Sequence, residues 1–262
     1  MPIHPTAVVD PRAELGRDVH VGPFAVVAAG AILHDGVRID AHGVVAGPCE
    51  LGAGSRVHAF ACVAGDAQDR KYRGEPSRVV AGRGCVFREG VTVHRGTAAG
   101  DGVTRIGDDV LLMAQAHVAH DCRVGNDVVL ANGAALAGHV WVGDGVVFGG
   151  LAGVHQFCRI GRLAMVGAGA MVAQDVPPFM LVHGDRARLV GLNRVGLRRA
   201  GMSPATIGAL HAAFGELFLH GRAVRAAASA LHASSVDVAE VAELAAFCAT
   251  PGRGVCRARG EA

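Results

Sequence analysis

The sequence has no long apolar run, no leader-like N-terminus and little excess charge. Because no stretch of about 18 or more consecutive apolar residues is present, we expect no membrane-spanning helix. The opening segment MPIHPTAVVDP has no basic region followed by an apolar run, so we expect no secretory signal peptide. The formal net charge is only +2, which gives no reason to expect nucleic acid as a partner.

Cysteine is present without any paired spacing. The chain has 7 cysteines, an odd number, which is typical of reduced thiols and predicts a cytoplasmic protein rather than a disulfide-stapled one.

A repeat of six residues dominates the chain. Stepping by six from Ile3 to Val63 meets an aliphatic residue each time, and stepping from Ile106 to Val172 does so with Phe148 as the single aromatic exception. A small residue follows four places later, and glycine often comes directly after the large residue. Four of the cysteines take the small position, so we expect them in the core rather than as nucleophiles: Cys49, Cys85, Cys122 and Cys158.

This period fits neither a helix nor a simple alternating strand. It predicts short strands joined by tight turns, with three strands closing each triangular coil and equivalent positions stacked about 4.8 Å apart. We therefore expect a mainly β fold, a parallel β-helix solenoid of about nine coils over residues 1–183. The rhythm breaks twice, which predicts loops ejected near 64–80 and 97–105.

Residues 184–262 are expected to form a linker and a small C-terminal α-helical domain. Pro177-Pro178 ends the repeat, and an arginine-rich stretch runs from Arg186 to Arg199. Ser203-Pro204 is typical of an N-cap and first helical residue. Further helices are predicted over about 222–232 and about 236–248. The arginines are either a solvated linker or a binding site for anions.

One group of polar residues aligns when the chain is wound in coils. His139 lies eighteen residues after Asp121, and Gly138 lies eighteen after His120, so each pair takes equivalent positions on adjacent coils. Packing does not require a row of histidine and aspartate on a solvent edge, so this row is a candidate site. Its remaining members are His117, just before the row, and His155 with Gln156 one coil further on.

The residue types in this row suit general-base chemistry. Histidine has an ordinary pKa near neutrality, and an adjacent carboxylate such as Asp121 can hold the imidazole in one tautomer. A backbone N–H at Gly138, where no side chain blocks approach, could stabilise an oxyanion. Zinc binding is the alternative chemistry, although His-x-x-His alone is a weak signal for a metal.

Several motifs together resemble the UDP-N-acetylglucosamine O-acyltransferase family. They run in order from about residue 3 to about residue 205, and the helical tail also matches. The sequence reads GPF at 22–24, KYRGEP at 71–76, VTVHRGT at 91–97, AHVAHDC at 116–122, LAGHV at 136–140, VHQFCRIG at 154–161 and VAQDVPP at 172–178.

The resemblance implies a left-handed β-helix and a homotrimer with active sites between neighbouring solenoids. It implies direct transfer of a 3-hydroxyacyl group from acyl carrier protein to the glucosamine 3-hydroxyl of UDP-N-acetylglucosamine, the first step of lipid A biosynthesis. It also implies no metal, no cofactor and no acyl-enzyme. His120 takes the general-base position beside Asp121, and Gly138 takes the backbone-donor position. Substrate-contact positions fall on Asp69, Lys71, His94, His117, His139, His155, Gln156, Asn193 and Arg199.

The sequence departs from the family pattern in two places. Val195 and Ala200 stand where the family often has an acidic residue and a second arginine, which changes the expected nucleotide contacts. The segment VGAGAM, with Ala168 and Met171, takes the position that sets the length of the acyl chain. Because Ala168 adds a methyl group where long-chain enzymes have glycine, we expect a chain somewhat shorter than the longest that the family uses.

Three other functions remain open at this point. A related N-acyltransferase would act on a glucosamine amine, but that class usually carries an extra N-terminal domain and the repeat here begins at Ile3. A zinc hydratase on the same solenoid would need three histidines converging across a subunit interface. In a non-catalytic scaffold, the aligned His/Asp edge would be a coincidence.

Overall fold

A computed structural model describes residues 3–233 and 238–258. In this range short strands form three sheets, which are the faces of a triangular prism named here in the order in which the chain visits them. Face 1 contains β1 (Val8–Val9), β4 (Val26–Val27), β7 (Val44–Val45), β10 (Cys62–Gly65), β13 (Thr92–His94), β16 (His117–Val118), β19 (Ala135–Leu136), β22 (Gly153–Val154) and β25 (Met171–Val172). Face 2 contains β2 (Glu14–Leu15), β5 (Ala31–Leu33), β8 (Cys49–Leu51), β11 (Arg78–Ala81), β14 (Val103–Ile106), β17 (Arg123–Val124), β20 (Trp141–Val142) and β23 (Arg159–Ile160). Face 3 contains β3 (His20–Val21), β6 (Arg38–Ile39), β9 (Arg56–Val57), β12 (Val86–Phe87), β15 (Leu111–Leu112), β18 (Val129–Leu130), β21 (Val147–Phe148), β24 (Met165–Val166), β26 (Met180–His183) and β27 (Arg188–Leu192).

The pairing of strands follows the eighteen-residue coil. On face 1, His117 pairs in parallel with Ala135, Ala135 with Gly153, and Gly153 with Met171. Equivalent positions of the repeat therefore stack directly above one another along the prism. The predicted solenoid is confirmed, and the fold is a left-handed parallel β-helix with a small C-terminal helical part.

The core consists of the two inward rows that the repeat supplies. The large aliphatic residues, such as Leu112 and Leu130, and the small residues, such as Ala116 and Ala134, are almost completely buried. The four cysteines at small positions are buried as predicted. Burial raises the pKa of the Cys122 thiol to about 12, so this thiol stays protonated and is not a nucleophile.

The three edges of the prism are tight turns. The edge between faces 1 and 2, called the 1–2 edge, carries Asp121, His139 and Phe157 on successive coils with φ angles of 59°, 60° and 65°. This left-handed conformation costs a non-glycine residue roughly 1–2 kcal/mol. Hydrogen bonds between coils, such as His139 N–H to His120 O at 3.0 Å, help to offset that cost.

Both ejected segments leave the prism at this same 1–2 edge. Residues 66–77 connect β10 to β11, and residues 95–102 connect β13 to β14. The predicted loops are therefore present but shorter than expected, because Arg78–Ala81 and Val103–Ile106 return to face 2 as strands. As a result, Thr92 pairs with His117, 25 residues away rather than eighteen.

The segment after the repeat packs back onto the solenoid. β26 and β27 form an antiparallel pair that extends face 3, and the expected boundary at 183/184 falls inside this hairpin. Near the C-terminus, Val255 bridges to Asp175. Ion pairing between Arg162 and Glu243, at 2.8 Å, also ties a helix to the prism.

Four helices follow the hairpin in the described residues: α1 (Arg194–Arg199), α2 (Pro204–Phe218), α3 (Val224–Ala233) and α4 (Ala239–Ala249). The predicted cap is confirmed, since the Ser203 side chain accepts a hydrogen bond from the Thr206 N–H at the start of α2. The short α1 was not predicted. The predicted start of the last helix, at about 236, lies outside the described residues. No helix in the described ranges combines the length and the apolar character needed to cross a bilayer.

The outward rows differ between the faces. Face 2 presents mainly charged residues, among them Glu14, Glu50, Arg105, Arg123 and Arg159, together with Ile32, Val80 and Trp141. Face 3 presents an unbroken apolar row from its fourth strand upwards: Val86, Leu111, Val129, Val147, Met165 and Leu181. Such a row on a solvent-facing sheet indicates a surface for a partner.

Two neighbouring residues in β14 test which side chains point into the core and which point to solvent. We expect Ile106→Ala to lower the free energy of unfolding by about 2–5 kcal/mol, because the buried side chain leaves a cavity in the core. Arg105→Ala removes an exposed ion pair with Asp101 and should cost less than about 1 kcal/mol. Urea unfolding measures both, and equal losses would contradict the assignment.

Candidate active site

The predicted row of polar residues lies along the 1–2 edge. His120 and Asp121 form one turn, and Gly138 and His139 occupy the equivalent turn of the next coil. The His139 ring meets the His120 ring edge-on at 5.1 Å and stacks on Phe157 at 4.5 Å. The coil-over-coil alignment inferred from eighteen-residue spacing is therefore present in the structure.

His120 and Asp121 form a hydrogen-bonded pair. The Nδ1 atom of His120 lies 2.9 Å from Oδ2 of Asp121, and the two side chains are 14% and 3% exposed. Because a carboxylate accepts, this bond places a proton on Nδ1, and in the neutral imidazole Nε2 is then the nitrogen with the free lone pair. Among the described residues Nε2 has no hydrogen-bond partner, so in this tautomer it can act as a base.

Gly138 lets the imidazole lie directly against the backbone. A Cβ atom at this position would come within 2.5 Å of Cε1 and 2.6 Å of Nε2 of His120. In the part of the chain that the structure describes, the Gly138 N–H has no hydrogen-bond acceptor. An unpaired N–H beside the base can therefore serve as a donor to a developing oxyanion.

His117 lies on face 1, just before the turn that carries His120. It is the outward residue of β16, and its Nδ1 atom lies 2.7 Å from the Thr92 hydroxyl. Its ring contacts His94 edge-on at 5.1 Å. His94 is buried, and its Nδ1 has no partner in the described residues.

The histidines around His120 are held in their neutral form. Burial, reinforced by the neighbouring His117 and His120, lowers the pKa of His94 to about 4. Burial, followed by the charge of His120, also lowers the pKa of His117. For His139, burial lowers the pKa most, and the carboxylates of Asp121 and Asp69 partly oppose it. Neutral imidazoles can accept or donate hydrogen bonds to a substrate without adding positive charge.

The long ejected segment, residues 66–77, reaches this site from two coils below the turn of His120. Asp69 is close enough to act on the pKa of His139, and its Oδ1 accepts the Lys71 N–H at 2.9 Å. Lys71 itself is exposed. Arg95 anchors the segment by donating to Asp66 and to the Tyr72 hydroxyl.

A metal is the other chemistry to weigh at this edge. His120, Asp121 and His139 offer ligand atoms that lie within 4.8 Å of one another. However, both carboxylate oxygens of Asp121 already accept hydrogen bonds, from Thr97 and His120. A cation would have to displace these donors, so the arrangement suits a base and its orienting carboxylate better than a metal centre.

Higher along the prism, an arginine-lined cavity opens beside the row. His155 and Gln156 are exposed one coil above Gly138. The cavity has a volume of about 880 Å³ and is bordered by His155, Met171 and Asp185. Four arginines also line it: Arg186, Arg188, Arg253 and Arg257.

Asn193 and Arg199 are not brought near His120 within the chain. The Asn193 side chain accepts the Gly196 N–H as the N-cap of α1 and donates to the Leu163 carbonyl at 2.9 Å. Leu163 belongs to a turn between faces 2 and 3, a different edge of the prism. Arg199 ends α1 and is exposed.

The two residues expected to set chain length lie on different parts of the surface. Ala168 is exposed on the edge between faces 3 and 1. Met171 lies on face 1, three coils above His117, and only Ala135 and Gly153 separate them in the outward row. The small residues make a shallow floor that leads from His117 to the Met171 side chain.

The sequence did not reveal every residue that supports the site. Thr97 and Thr104 both bond to Asp121, and neither was singled out. Eighteen-residue counting cannot find Thr97, because the ejected segment adds residues between it and Asp121. No insertion separates Thr104 from Asp121, and the regular count would have placed these two residues side by side. The VTVHRGT motif does end on Thr97, inside the short ejected segment, which is the signal that could have marked it.

Two family models and many curated relatives match the chain. Residues 103–138 match the family model for the bacterial transferase hexapeptide with six repeats, and residues 175–256 match the second domain of UDP-N-acetylglucosamine O-acyltransferase. An acyl-[acyl-carrier-protein]–UDP-N-acetylglucosamine O-acyltransferase of Alkalilimnicola ehrlichii is 54% identical over 255 residues, which are 97% of this chain and 99% of that protein.

Solved structures show the same likeness over nearly the whole chain. UDP-N-acetylglucosamine acyltransferase from Campylobacter jejuni superposes with a TM-score of 0.93 at 38% identity, covering 98% of this chain and 100% of that one. The Francisella novicida UDP-N-acetylglucosamine acyltransferase has a TM-score of 0.94 at 29% identity, covering 98% and 95%. The chain is an acyltransferase and belongs to the acyl-[acyl-carrier-protein]–UDP-N-acetylglucosamine O-acyltransferase family.

Proposed function

We propose that the protein transfers a 3-hydroxyacyl group from acyl carrier protein to the 3-hydroxyl of the glucosamine ring of UDP-N-acetylglucosamine. This is the reaction that begins lipid A biosynthesis, and the proposal places the enzyme in the cytoplasm. The observation that carries it is the His120–Asp121 pair, whose free Nε2 lies against the Gly138 backbone on an open edge. The proposed chemistry requires no cofactor.

The mechanism follows from which atoms are available. Nε2 of His120 takes the proton from the sugar hydroxyl as its oxygen attacks the thioester carbonyl. The carbonyl oxygen becomes an oxyanion, and the Gly138 N–H donates to it. When the intermediate collapses, the carbon–sulfur bond breaks and the imidazolium returns its proton to the departing thiolate. No acyl-enzyme forms.

Asp121 supports both stages of this cycle. Its bond to Nδ1 keeps the tautomer in which Nε2 is the base, and its negative charge stabilises the imidazolium that forms during attack. Neutral His94, His117 and His139 surround the sugar position without competing for the proton. Asp69 and Lys71 reach over the site from the ejected segment as further substrate contacts.

The faces of the prism support a homotrimer. If three parallel prisms each bury the apolar row of face 3 against face 1 of a neighbour, the edges between faces 3 and 1 meet at the three-fold axis. That edge carries a stacked ladder of Phe24, His42 and Phe60, in which both phenylalanines are more than half exposed in the single chain. Trimer formation would cover these aromatic surfaces.

The same packing would complete the active site. It brings the edge between faces 2 and 3 of one protomer beside the 1–2 edge of the next. Asn193, fixed to that edge through the Leu163 carbonyl, and Arg199 on the following helix would then approach the neighbour's His120. These two residues can bind the nucleotide only in the assembled protein.

Two further surfaces fit parts of the substrates. The arginine-lined cavity beside His155 would attract an anionic group, either the diphosphate of the sugar nucleotide or the acidic carrier protein. The floor formed by Ala135 and Gly153 suits an acyl chain that ends near Met171. Three coils span about 14 Å, which limits the length of chain that this floor accommodates.

The general base is tested by substitution of His120. We expect His120→Ala to lower turnover at least about a hundredfold, because a positioned base contributes roughly 10²–10⁴-fold. Purified protein is incubated with UDP-N-acetylglucosamine and a series of acyl carrier protein thioesters, and the products are weighed by mass spectrometry. His20→Ala, an exposed histidine on another face, is the control. Turnover of His120→Ala close to wild type would remove the mechanism.

The close approach at Gly138 gives a second prediction. Gly138→Ala should lower kcat about tenfold or more while the trimer persists. The added methyl group would displace the His120 imidazole, so that the base is no longer correctly positioned. Steady-state kinetics measures this loss. Gly36→Ala is unsuitable as a control because its φ is positive, whereas Gly208→Ala, on α2 with open space around its Cβ, should retain activity. Full activity of Gly138→Ala would show that the imidazole does not need this space.

Assembly is tested on the apolar row of face 3. We expect Val147→Arg to dissociate the trimer and abolish activity, because an unpaired charge would be buried in the interface. Ile32→Arg on face 2, between Glu14 and Glu50, should leave both unchanged. Light scattering coupled to gel filtration gives the mass, and a trimeric, active Val147→Arg protein would refute the packing.

A further inference from the structure

The short ejected segment 95–102 donates two hydrogen bonds to the carboxylate of Asp121. The Thr97 hydroxyl donates to Oδ2 at 2.7 Å, and the Thr97 backbone N–H donates to Oδ1 at 3.0 Å. Thr97 is 2% exposed and Asp121 is 8% exposed. One residue thus holds both oxygens of the acid that orients the base.

The Thr97 hydroxyl donates to the same oxygen of Asp121 that accepts the hydrogen bond from His120. Oδ2 accepts from Thr97 Oγ1 and from His120 Nδ1, and it also lies 3.6 Å from His139 Nε2. If the Thr97 donor is lost, the carboxylate can rotate and point Oδ2 away from Nδ1. The proton would then no longer be confined to Nδ1, and a fraction of the imidazoles would carry it on the atom that must act as the base.

The segment is built for this close contact. At Gly100, a Cβ atom would come within 2.3 Å of Oδ1 of Asp121, so glycine allows the loop backbone to close over the acid. The Thr104 hydroxyl, where the chain rejoins face 2, accepts the Asp121 N–H at 2.8 Å. Asp121 is therefore held at its backbone and at both side-chain oxygens by one loop and the strand that follows it.

The segment is also fixed independently of Asp121. The Ala98 N–H donates to Glu75 of the longer ejected segment at 3.1 Å. Arg105 and Arg123 both donate to Asp101, at 2.7 and 3.1 Å. These bonds place the Thr97 donors before any substrate arrives, which is what a preorganised site requires.

We propose that Thr97 is a positioning residue: through its hydroxyl it fixes the Asp121 carboxylate and thereby the tautomer and orientation of the His120 imidazole. The proposal rests on the acyl-transfer function proposed above. Thr97 is too buried to touch a substrate, so its effect reaches the reaction only through Asp121 and His120.

The test compares two substitutions at this position. Thr97→Val keeps the shape and removes the donor, while Thr97→Ser keeps the hydroxyl. We expect Thr97→Val to lower kcat about tenfold, a part of the 10²–10⁴-fold that a positioned base contributes, with the KM for UDP-N-acetylglucosamine within about twofold of wild type. Thr97→Ser should restore most of kcat.

Ser55→Ala is the matched control for a purely structural effect. Ser55 is fully buried on a different edge, and its hydroxyl bonds the Gly82 carbonyl and the Cys85 N–H. We expect Ser55→Ala and Thr97→Val to lower the melting temperature similarly, but only Thr97→Val to lower kcat. A wild-type kcat for Thr97→Val, or an equal loss of kcat in Ser55→Ala, would overturn the proposal.

Nitrogen-15 NMR of the histidine side chains reads the tautomer directly. It separates the positioning role of Thr97 from the proposed acyl-transfer function. We expect the His120 signals to show a proton on Nδ1 in wild type and in Thr97→Ser, and a mixture of tautomers in Thr97→Val. If wild type transfers no acyl group, the proposed function fails while this readout still tests the positioning. If wild type is active and the tautomer is the same in all three proteins, only the positioning role fails.

Gly100→Ala provides a second route to the same geometry. Its methyl group should push the loop from the carboxylate and reproduce the kcat loss and the tautomer mixture of Thr97→Val without altering residue 97. Unchanged kcat and an unchanged tautomer in Gly100→Ala would count against the loop as the element that holds Asp121.

Discussion

Hydrogen bonding from coil to coil fixes where each side chain of the site can lie. The His139 N–H donates to the His120 carbonyl, and the Phe157 N–H donates to the Gly138 carbonyl, so three successive turns are held in one register. Asp121, His139 and Phe157 share the same left-handed backbone conformation, so their side chains leave the edge in the same direction on each coil. The three groups that the proposed mechanism uses as base, orienting carboxylate and backbone donor therefore lie on turns of the regular prism.

The two ejected segments add what a regular prism cannot supply. Side chains on a regular edge point outward, so the carboxylate of Asp121 would face water without further cover. Residues 95–102 provide that cover and its hydrogen-bond donors, and residues 66–77 bring Asp69 and Lys71 over the same edge. Because Glu75 bonds the Ala98 N–H, the two segments support each other.

Part of this arrangement follows from the sequence and part does not. The six-residue period predicts the prism and its core, because each row of side chains has one fixed neighbour row eighteen residues away. The same counting correctly aligns Asp121 with His139, since no insertion lies between them. It cannot place Thr97 over Asp121, because the intervening loop breaks the count. Helix α1 was also missed, since six residues carry too little apolar periodicity to stand out. The roles given to Asn193 and Arg199 depend on a second chain and stay predictions.

The register also restricts how the length of such a chain can vary. A residue gained or lost within a regular coil would rotate every later side chain onto the wrong face, so the core rows and the row at His120 would no longer line up. Whole coils can be added or removed, and extra residues can be looped out where the chain leaves and rejoins at one edge. The parallel pairing of Thr92 with His117 across 25 residues shows the second solution. Along most of the prism the chain length can therefore change only by whole coils, whereas in the ejected segments it can change by single residues.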